Sequence, residues 1–142
     1  MAIPMTQDGT FAIPGFTQDT ASRPGDVYAA DCPTRQLLDR IGDKWSVLTL
    51  LLLGEGPMRF NALRRRIAGV SQKMLSQTLR ALERDGLVER AVVPTMPVEV
   101  RYSITPLGTE LIEALTMMIR WAERRYPAVA AAQSRFDAQR VE

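Results

Sequence analysis

The fold of this chain is decided by the stretch Ser71-Gln72-Lys73-Met74-Leu75-Ser76-Gln77-Thr78-Leu79-Arg80. Ser71 suits a helix N-cap, because its hydroxyl can accept a hydrogen bond from a free amide of the first turn. Leu75 and Leu79 recur at helical spacing, with polar side chains between them. The stretch therefore predicts an amphipathic helix with one buried face and one polar face, and Asp85-Gly86 is expected to end it.

The segments on either side of this helix are a short basic helix and a β-ribbon. Phe60 to Ile67 is predicted as the preceding helix, and Ala68-Gly69-Val70 as the turn. Two strands are predicted near residues 88–93 and 98–104, separated by the tip Pro94-Thr95-Met96-Pro97. A helix, a turn, a polar helix and a β-ribbon form, in this order, a winged helix-turn-helix. The predicted fold class is mainly α with a small β-wing (α+β).

Further helices are predicted before and after this motif. One follows Cys32-Pro33, since proline favours the first helical position, and the next covers Lys44 to Leu53. A long last helix is predicted to start at Thr105-Pro106 and to end or kink at Pro127. Its broad apolar face has little of its own domain to cover, so a dimer seam is expected there.

The chain is predicted to have three parts. Residues 1–27 form an N-terminal arm, residues 28–127 a winged helix-turn-helix domain for DNA binding and dimerisation, and residues 128–142 a short C-terminal helix or tail. The composition of the arm leaves two interpretations open: packing onto a partner subunit, or disorder.

The composition argues against an enzyme, a metalloprotein or a membrane protein. With no histidine and one cysteine, the chain lacks His-based catalytic triads, His-ligated metals and Cys-rich zinc sites. No cofactor motif is visible. The apolar run from Trp45 to Leu53 spans nine residues, whereas a bilayer requires about 20. No signal peptide is visible, and a cytoplasmic location is expected.

Positive charge is concentrated in the motif. Residues 57–101 carry nine Lys or Arg against four acidic residues, as counterion release from a phosphate backbone favours. Arg and Lys side chains donate to guanine, and Gln pairs with adenine. The alternative is that these charged side chains form an ordinary solvated face on a protein-interaction module that binds no DNA. The candidate DNA-binding residues are Ser71, Gln72, Lys73, Ser76, Gln77 and Arg80 on the polar helix, Arg64, Arg65 and Arg66 before it, and Arg90 and Arg101 in the strands.

Several segments between about Cys32 and Tyr126 match a known pattern. They are Cys32-Pro33, Gly42-Asp43-Lys44-Trp45, Gly56-Pro57-Met58-Arg59-Phe60-Asn61-Ala62-Leu63, Ile67-Ala68-Gly69-Val70-Ser71-Gln72-Lys73-Met74-Leu75, Leu79-Arg80-Ala81-Leu82-Glu83-Arg84-Asp85-Gly86-Leu87-Val88-Glu89-Arg90, Val98-Glu99-Val100-Arg101-Tyr102-Ser103-Ile104-Thr105-Pro106-Leu107-Gly108 and Trp121. Together they resemble the HxlR-type winged helix-turn-helix regulators, a branch of the MarR-like group. The resemblance implies a homodimer joined through N- and C-terminal helices, binding a palindromic operator in double-stranded DNA. The favoured hypothesis is a dimeric, sequence-specific transcriptional repressor. Because the wing tip carries no Lys or Arg, wing contacts are expected from Arg90 or Arg101.

Cys32 is a candidate redox sensor. A helix N-terminus favours the thiolate over the thiol. Some members of the resembled family sense oxidants or electrophiles through a cysteine that precedes a proline at this position. Without a second cysteine in the chain, oxidation would end in an intersubunit disulfide, a mixed disulfide with a small thiol, or an adduct. The alternative is an inert capping thiol.

Three aromatic residues are candidates for an effector pocket that binds a small molecule. The hypothesis is that Trp45, Tyr102 and Trp121 line a pocket between the second helix, the base of the wing and the dimer helices. Aromatic side chains at helical or strand spacing are more often core than ligand site. Both interpretations are left open.

Overall fold

The structure, a computed structural model, describes residues 27–140. Nearly all of the predicted N-terminal arm lies outside these residues. The chain divides into two compact units, one ending at Lys44 and the other beginning at Trp45. Each helix between residues 27 and 140 is too short or too polar to cross a membrane.

Residues 27–140 contain five helices and three strands in an order that confirms the winged helix-turn-helix. The helices are α1 (Pro33–Gly42), α2 (Lys44–Leu53), α3 (Phe60–Arg66), α4 (Gln72–Arg84) and α5 (Pro106–Arg140), and the strands are β1 (Met58–Arg59), β2 (Val88–Val93) and β3 (Glu99–Ile104).

The first unit contains α1, which begins as the sequence predicted. Cys32 occupies the N-cap position in an extended conformation, and Pro33 follows it. The Cys32 carbonyl accepts a hydrogen bond from the Gln36 amide at 3.2 Å. The Cys32 side chain makes no capping hydrogen bond. A capping function for the thiol is therefore wrong, although its position is confirmed.

The core of the second unit is built from leucines spaced for helices. The predicted buried face of α4 is confirmed for Leu75 and Leu79, and Thr78 and Leu82 are buried with them. Leu50 and Leu53 of α2 and Leu63 of α3 are also buried, each at 0% exposure. Burying a leucine side chain contributes about 1.5–3 kcal/mol. The burial of one α4 face therefore turns the opposite, polar face to solvent.

The three strands form an antiparallel sheet in the order β1-β3-β2. Tyr102 in the central strand pairs with Met58 of β1 and with Arg90 of β2, while Arg101 pairs with Arg59 and Ala91. Directly paired residues point to the same face of a sheet, and successive residues point to opposite faces. Arg90 and Arg101 therefore lie on opposite faces of the wing.

Thr105 connects the end of α4, the start of the wing and the start of α5. Its hydroxyl donates to the Gly86 carbonyl at 2.6 Å and accepts from the Gly108 amide at 3.0 Å. Its backbone amide donates to the Leu87 carbonyl at 3.1 Å. Thr105 thus caps α5, which starts where the sequence predicted, and fixes the chain where it leaves the wing.

The helix α5 corrects one prediction. The sequence predicted an end or kink at Pro127 and a separate short helix after it, but α5 continues through Pro127 to Arg140. Proline removes one hydrogen bond to the carbonyl four residues earlier. The segment after it holds four alanines within residues 128–132, and alanine is the strongest helix former. The predictions of a helix end at Pro127 and of a separate helix after it are therefore wrong. The predicted domain boundary between residues 127 and 128 stays a prediction.

Gly108 provides a test of the junction between α5 and the wing. A methyl group added to Gly108 would overlap the Leu87 carbonyl oxygen and lie 2.6 Å from Cδ1 of Ile104. We expect Gly108→Ala to lower the free energy of unfolding by about 1–3 kcal/mol, because overpacking forces the backbone to shift. Urea denaturation followed by circular dichroism measures this change.

Gly42→Ala is the matched control for this substitution. A methyl group on Gly42 meets no described atom within 4 Å. We expect its stability to be unchanged or to rise by up to about 1 kcal/mol. Equal losses of unfolding free energy in both variants would show that the close contacts of Gly108 with Leu87 and Ile104 are not the cause.

Candidate nucleic-acid interface

The start and end of α4 are set by local hydrogen bonds and by glycine conformations. Ser71 Oγ accepts a hydrogen bond from the Met74 amide at 3.0 Å, which confirms the predicted cap. The preceding turn contains Gly69 at φ +85°, and the helix is followed by Gly86 at φ +75°. Both values lie in the left-handed region that favours glycine. Between these two ends, α4 presents its polar face over a length of about 20 Å.

The polar face of α4 and the wing form an open groove of about 730 Å³. It is lined by Lys73, Ser76, Gln77, Arg80, Glu83, Arg90 and Tyr102.

The groove brings together five of the residues that the sequence singled out for DNA binding. Four of them lie on α4 at the spacing i, i+3, i+4 and i+7, which places side chains on one stripe of a helix. Arg90 enters from β2 on the face shared with Tyr102. Ser71 and Gln72 are exposed at the start of α4 but do not line the groove. The Ser71 hydroxyl is already engaged as the cap acceptor.

The groove is electropositive. Lys73, Arg80 and Arg90 contribute three cations, and Glu83 contributes a single carboxylate. All four side chains are exposed. No ion pair is found for them among residues 27–140. Their charges are therefore available to an anionic ligand.

Arg101 has a different environment from Arg90. On the outer face of the sheet its Nε donates to Glu99 Oε2 at 3.2 Å, and Glu99 also pairs with Arg59. The Glu99 side chain is 11% exposed. Of the two alternatives predicted for wing contacts, Arg90 lies with the polar face of α4 and Arg101 does not.

The basic cluster of α3 lies outside this groove. Arg64, Arg65 and Arg66 form its last turn, and all three are exposed. Cations are favoured at a helix C-terminus, which gives the cluster a structural role regardless of any ligand. Contact of the cluster with phosphates stays a prediction.

Two residues that line the groove were not predicted to belong to it. Glu83 continues the stripe three residues after Arg80, so extending the helical spacing by one turn could have found it. Tyr102 was assigned to an effector pocket, but it lines the groove with the α4 residues. Trp45 Cη2 lies 3.8 Å from the Cβ position of Gly69, and Trp121 is 55% exposed. A shared pocket for the three aromatic residues stays a prediction.

Cys32 is buried, with 3% of its surface exposed. A thiolate must reach its oxidant to react, so burial slows any reaction until the site opens. Among residues 27–140, acidic and cysteine side chains form no cluster of three that could hold a metal ion.

Comparison with known proteins identifies relatives over most of the chain. A family model described as HxlR-like helix-turn-helix matches residues 40–129. The uncharacterized HTH-type transcriptional regulator YtfH of Escherichia coli (strain K12) is 45% identical over 107 residues, which is 75% of this chain and 85% of YtfH.

Solved structures share the fold. The structure of ytfH from Salmonella typhimurium has a TM-score of 0.70 at 41% identity, covering 75% of this chain and 96% of that chain. The redox regulator HypR in its reduced form has a TM-score of 0.65 at 35% identity, covering 70% of this chain and 98% of HypR.

Ser71 and Ser76 should respond differently to removal of the hydroxyl. We expect Ser71→Ala to lower the free energy of unfolding by about 1 kcal/mol, because the Met74 amide loses its acceptor. Ser76→Ala, on the exposed groove stripe, should change stability by less than about 0.5 kcal/mol. Thermal unfolding of the two variants measures both values, and equal effects would argue against the cap.

Proposed function

The chain belongs to the HxlR-like helix-turn-helix family, and on that premise we propose that it is a transcriptional regulator that binds duplex DNA through the groove beside α4. The observation that carries the proposal is the convergence of Lys73, Arg80 and Arg90 around the hydrogen-bonding side chains Ser76 and Gln77. Cations attract the phosphate backbone, and the polar side chains between them can read base edges.

The geometry fits a recognition helix with an adjacent wing. A B-DNA major groove is about 12 Å wide and admits one α-helix. With α4 seated there, the neighbouring backbone strand would run along the wing side of the groove, beside Arg90, and the α4 stripe would face the base edges. Arg90 would thus contact phosphate, while the uncharged wing tip would contribute little. The regulator would act in the cytoplasm, where the DNA lies.

A second copy of the chain would complete the DNA-binding unit. The helix α5 exposes large apolar side chains, which favours their burial against another surface. In a twofold dimer the two copies of α4 would read half-sites about 34 Å apart, so the operator would be an inverted repeat. Occupancy of such a site excludes other proteins from it, which favours repression. The exposed side chains are Leu107 (53%), Met117 (73%), Met118 (52%) and Trp121 (55%).

Redox control through Cys32 is the regulatory part of the proposal. HypR, which shares the fold, is a redox regulator. Cys32 occupies the N-cap position of α1, so a modification large enough to disturb its buried site would displace the start of α1. Such a shift would change the population of the DNA-binding dimer geometry. A small ligand acting on the same equilibrium is the alternative effector.

DNA binding is tested by comparing Arg90→Ala with the wild-type protein on an inverted-repeat duplex selected from random sequences. We expect Arg90→Ala to weaken binding about tenfold at 150 mM salt and to lower the slope of log K against log salt by about 1.8, since one phosphate contact is lost in each copy of the dimer. Fluorescence anisotropy titrations at several salt concentrations provide both numbers.

Arg101→Ala is the matched control, because Arg101 is paired with Glu99 on the opposite face of the sheet. We expect its salt slope to change by less than half as much as that of Arg90→Ala. Equal slopes would contradict the assignment of Arg90 to the DNA. A wild-type protein that prefers no sequence would contradict the regulator itself and favour a protein-interaction module.

Oxidation tests the role of Cys32. We expect a thiol oxidant to lower operator affinity of the wild-type protein at least about fivefold, and to leave Cys32→Ser unchanged. Reduction should restore binding. An equal response of both proteins would remove Cys32 from the mechanism without affecting the DNA-binding assignment.

A further inference from the structure

The groove beside α4 contains one carboxylate among its cations. Glu83 lies on the stripe that carries Lys73, Ser76, Gln77 and Arg80, three residues beyond Arg80. Its side chain is exposed, and it has no ion-pair partner in the described part of the chain. Unlike Glu99, whose charge is neutralised by two arginines, Glu83 would bring its negative charge to whatever fills the groove.

A carboxylate has a selective effect on duplex DNA. An ionised carboxylate only accepts hydrogen bonds and is repelled by phosphate. In the major groove only the amino groups of cytosine and adenine are donors, and cytosine N4 is the usual partner of Glu. Facing any other base edge, the desolvated carboxylate would lack a donor, and an unsatisfied charged group is costly. A single acidic residue can therefore discriminate among sequences that the cations bind equally well.

We propose that Glu83 is a specificity-determining residue: it accepts a hydrogen bond from a base amino group in the operator and weakens binding to duplexes that offer none. This inference rests on the proposed DNA-binding function. The cations set the affinity for any duplex, and Glu83 subtracts from that affinity wherever its carboxylate meets no donor. Specificity arises in this way from a repulsive element as well as from attractive ones.

The test uses Glu83→Gln, Glu83→Ala and the control Glu89→Gln. Glu89 is also exposed and lies on the outer face of the sheet, away from the groove. The probes are a duplex selected by the wild-type protein from a random-sequence pool and a scrambled duplex of the same composition. Anisotropy titrations at one salt concentration give both affinities, and circular dichroism verifies that each variant is folded.

We expect Glu83→Gln to bind the scrambled duplex about three- to tenfold more tightly, because a like-charge repulsion is removed. Its affinity for the selected duplex should change by less than about twofold, since the amide oxygen still accepts a hydrogen bond. The ratio of the two affinities therefore falls. Glu89→Gln should leave this ratio unchanged.

Glu83→Ala tests the base contact directly. When each base pair of the selected duplex is substituted in turn, the wild-type protein should show a penalty of about tenfold at the pair that contacts Glu83. In Glu83→Ala this penalty should fall below about twofold at that pair alone, with all other penalties retained.

Two results would overturn the inference. One is an equal gain of affinity for both duplexes in Glu83→Gln, which would show that Glu83 contributes only to the overall electrostatic potential of the groove. The other is a substitution profile of Glu83→Ala that matches the wild type at every position. If the wild-type protein selects no sequence, the proposed function is overturned, and the role of Glu83 with it. The titrations of the wild-type protein alone distinguish this case.

Discussion

The arrangement of α4, the wing and α5 depends on one side-chain group, the hydroxyl of Thr105. It donates to the Gly86 carbonyl, just past the end of α4, and accepts from the Gly108 amide in the first turn of α5. Its backbone amide binds the Leu87 carbonyl at the entrance to β2. The groove lies between α4 and β2, so the direction in which β2 leaves α4 determines its width. A threonine suits this position because one hydroxyl can both donate and accept.

The two faces of the wing differ in how their charges are satisfied. On the outer face, Glu99 holds Arg59 and Arg101, and with an exposure of 11% it is shielded from solvent. On the inner face, Arg90 lies beside Tyr102 without such a partner among the described residues. Partly buried pairs keep their attraction better than exposed ones. The outer face is thus suited to stabilising the sheet, and the inner face to binding a polyanion.

Much of the fold could be predicted because local signals agreed with one another. Ser71 acts through a hydrogen bond in the first turn of α4, Gly86 through its left-handed backbone conformation, and Thr105 at the start of α5 through its bond to the Gly108 amide. Each was found at its expected place. The course of α5 beyond Pro127 was not predictable by the same means. There the proline disfavours a helix, whereas the alanines after it favour one. Whether the helix continues depends on the sum of these two opposing free-energy contributions.

The candidate site was predictable residue by residue but not as a surface. Helical spacing identified the stripe from Lys73 to Arg80. Which face of the sheet meets that stripe depends on strand register, and a shift of one residue between β2 and β3 would place Arg90 and Arg101 on the same face. Register is set by how the two strands pair across the loop between them, and no single residue of either strand signals it. The same limit explains why Tyr102 was grouped with Trp45 and Trp121.

Pro127 constrains how α5 can be covered. Proline carries no amide hydrogen, so the backbone carbonyl of Glu123, one turn earlier, lacks its helical donor. An oxygen in that position needs water or a side-chain donor, and leaving it dry is costly. The helix therefore has a side on which this oxygen must meet water or a side-chain donor. Any surface that packs against α5 is restricted in its angular position by this single missing hydrogen.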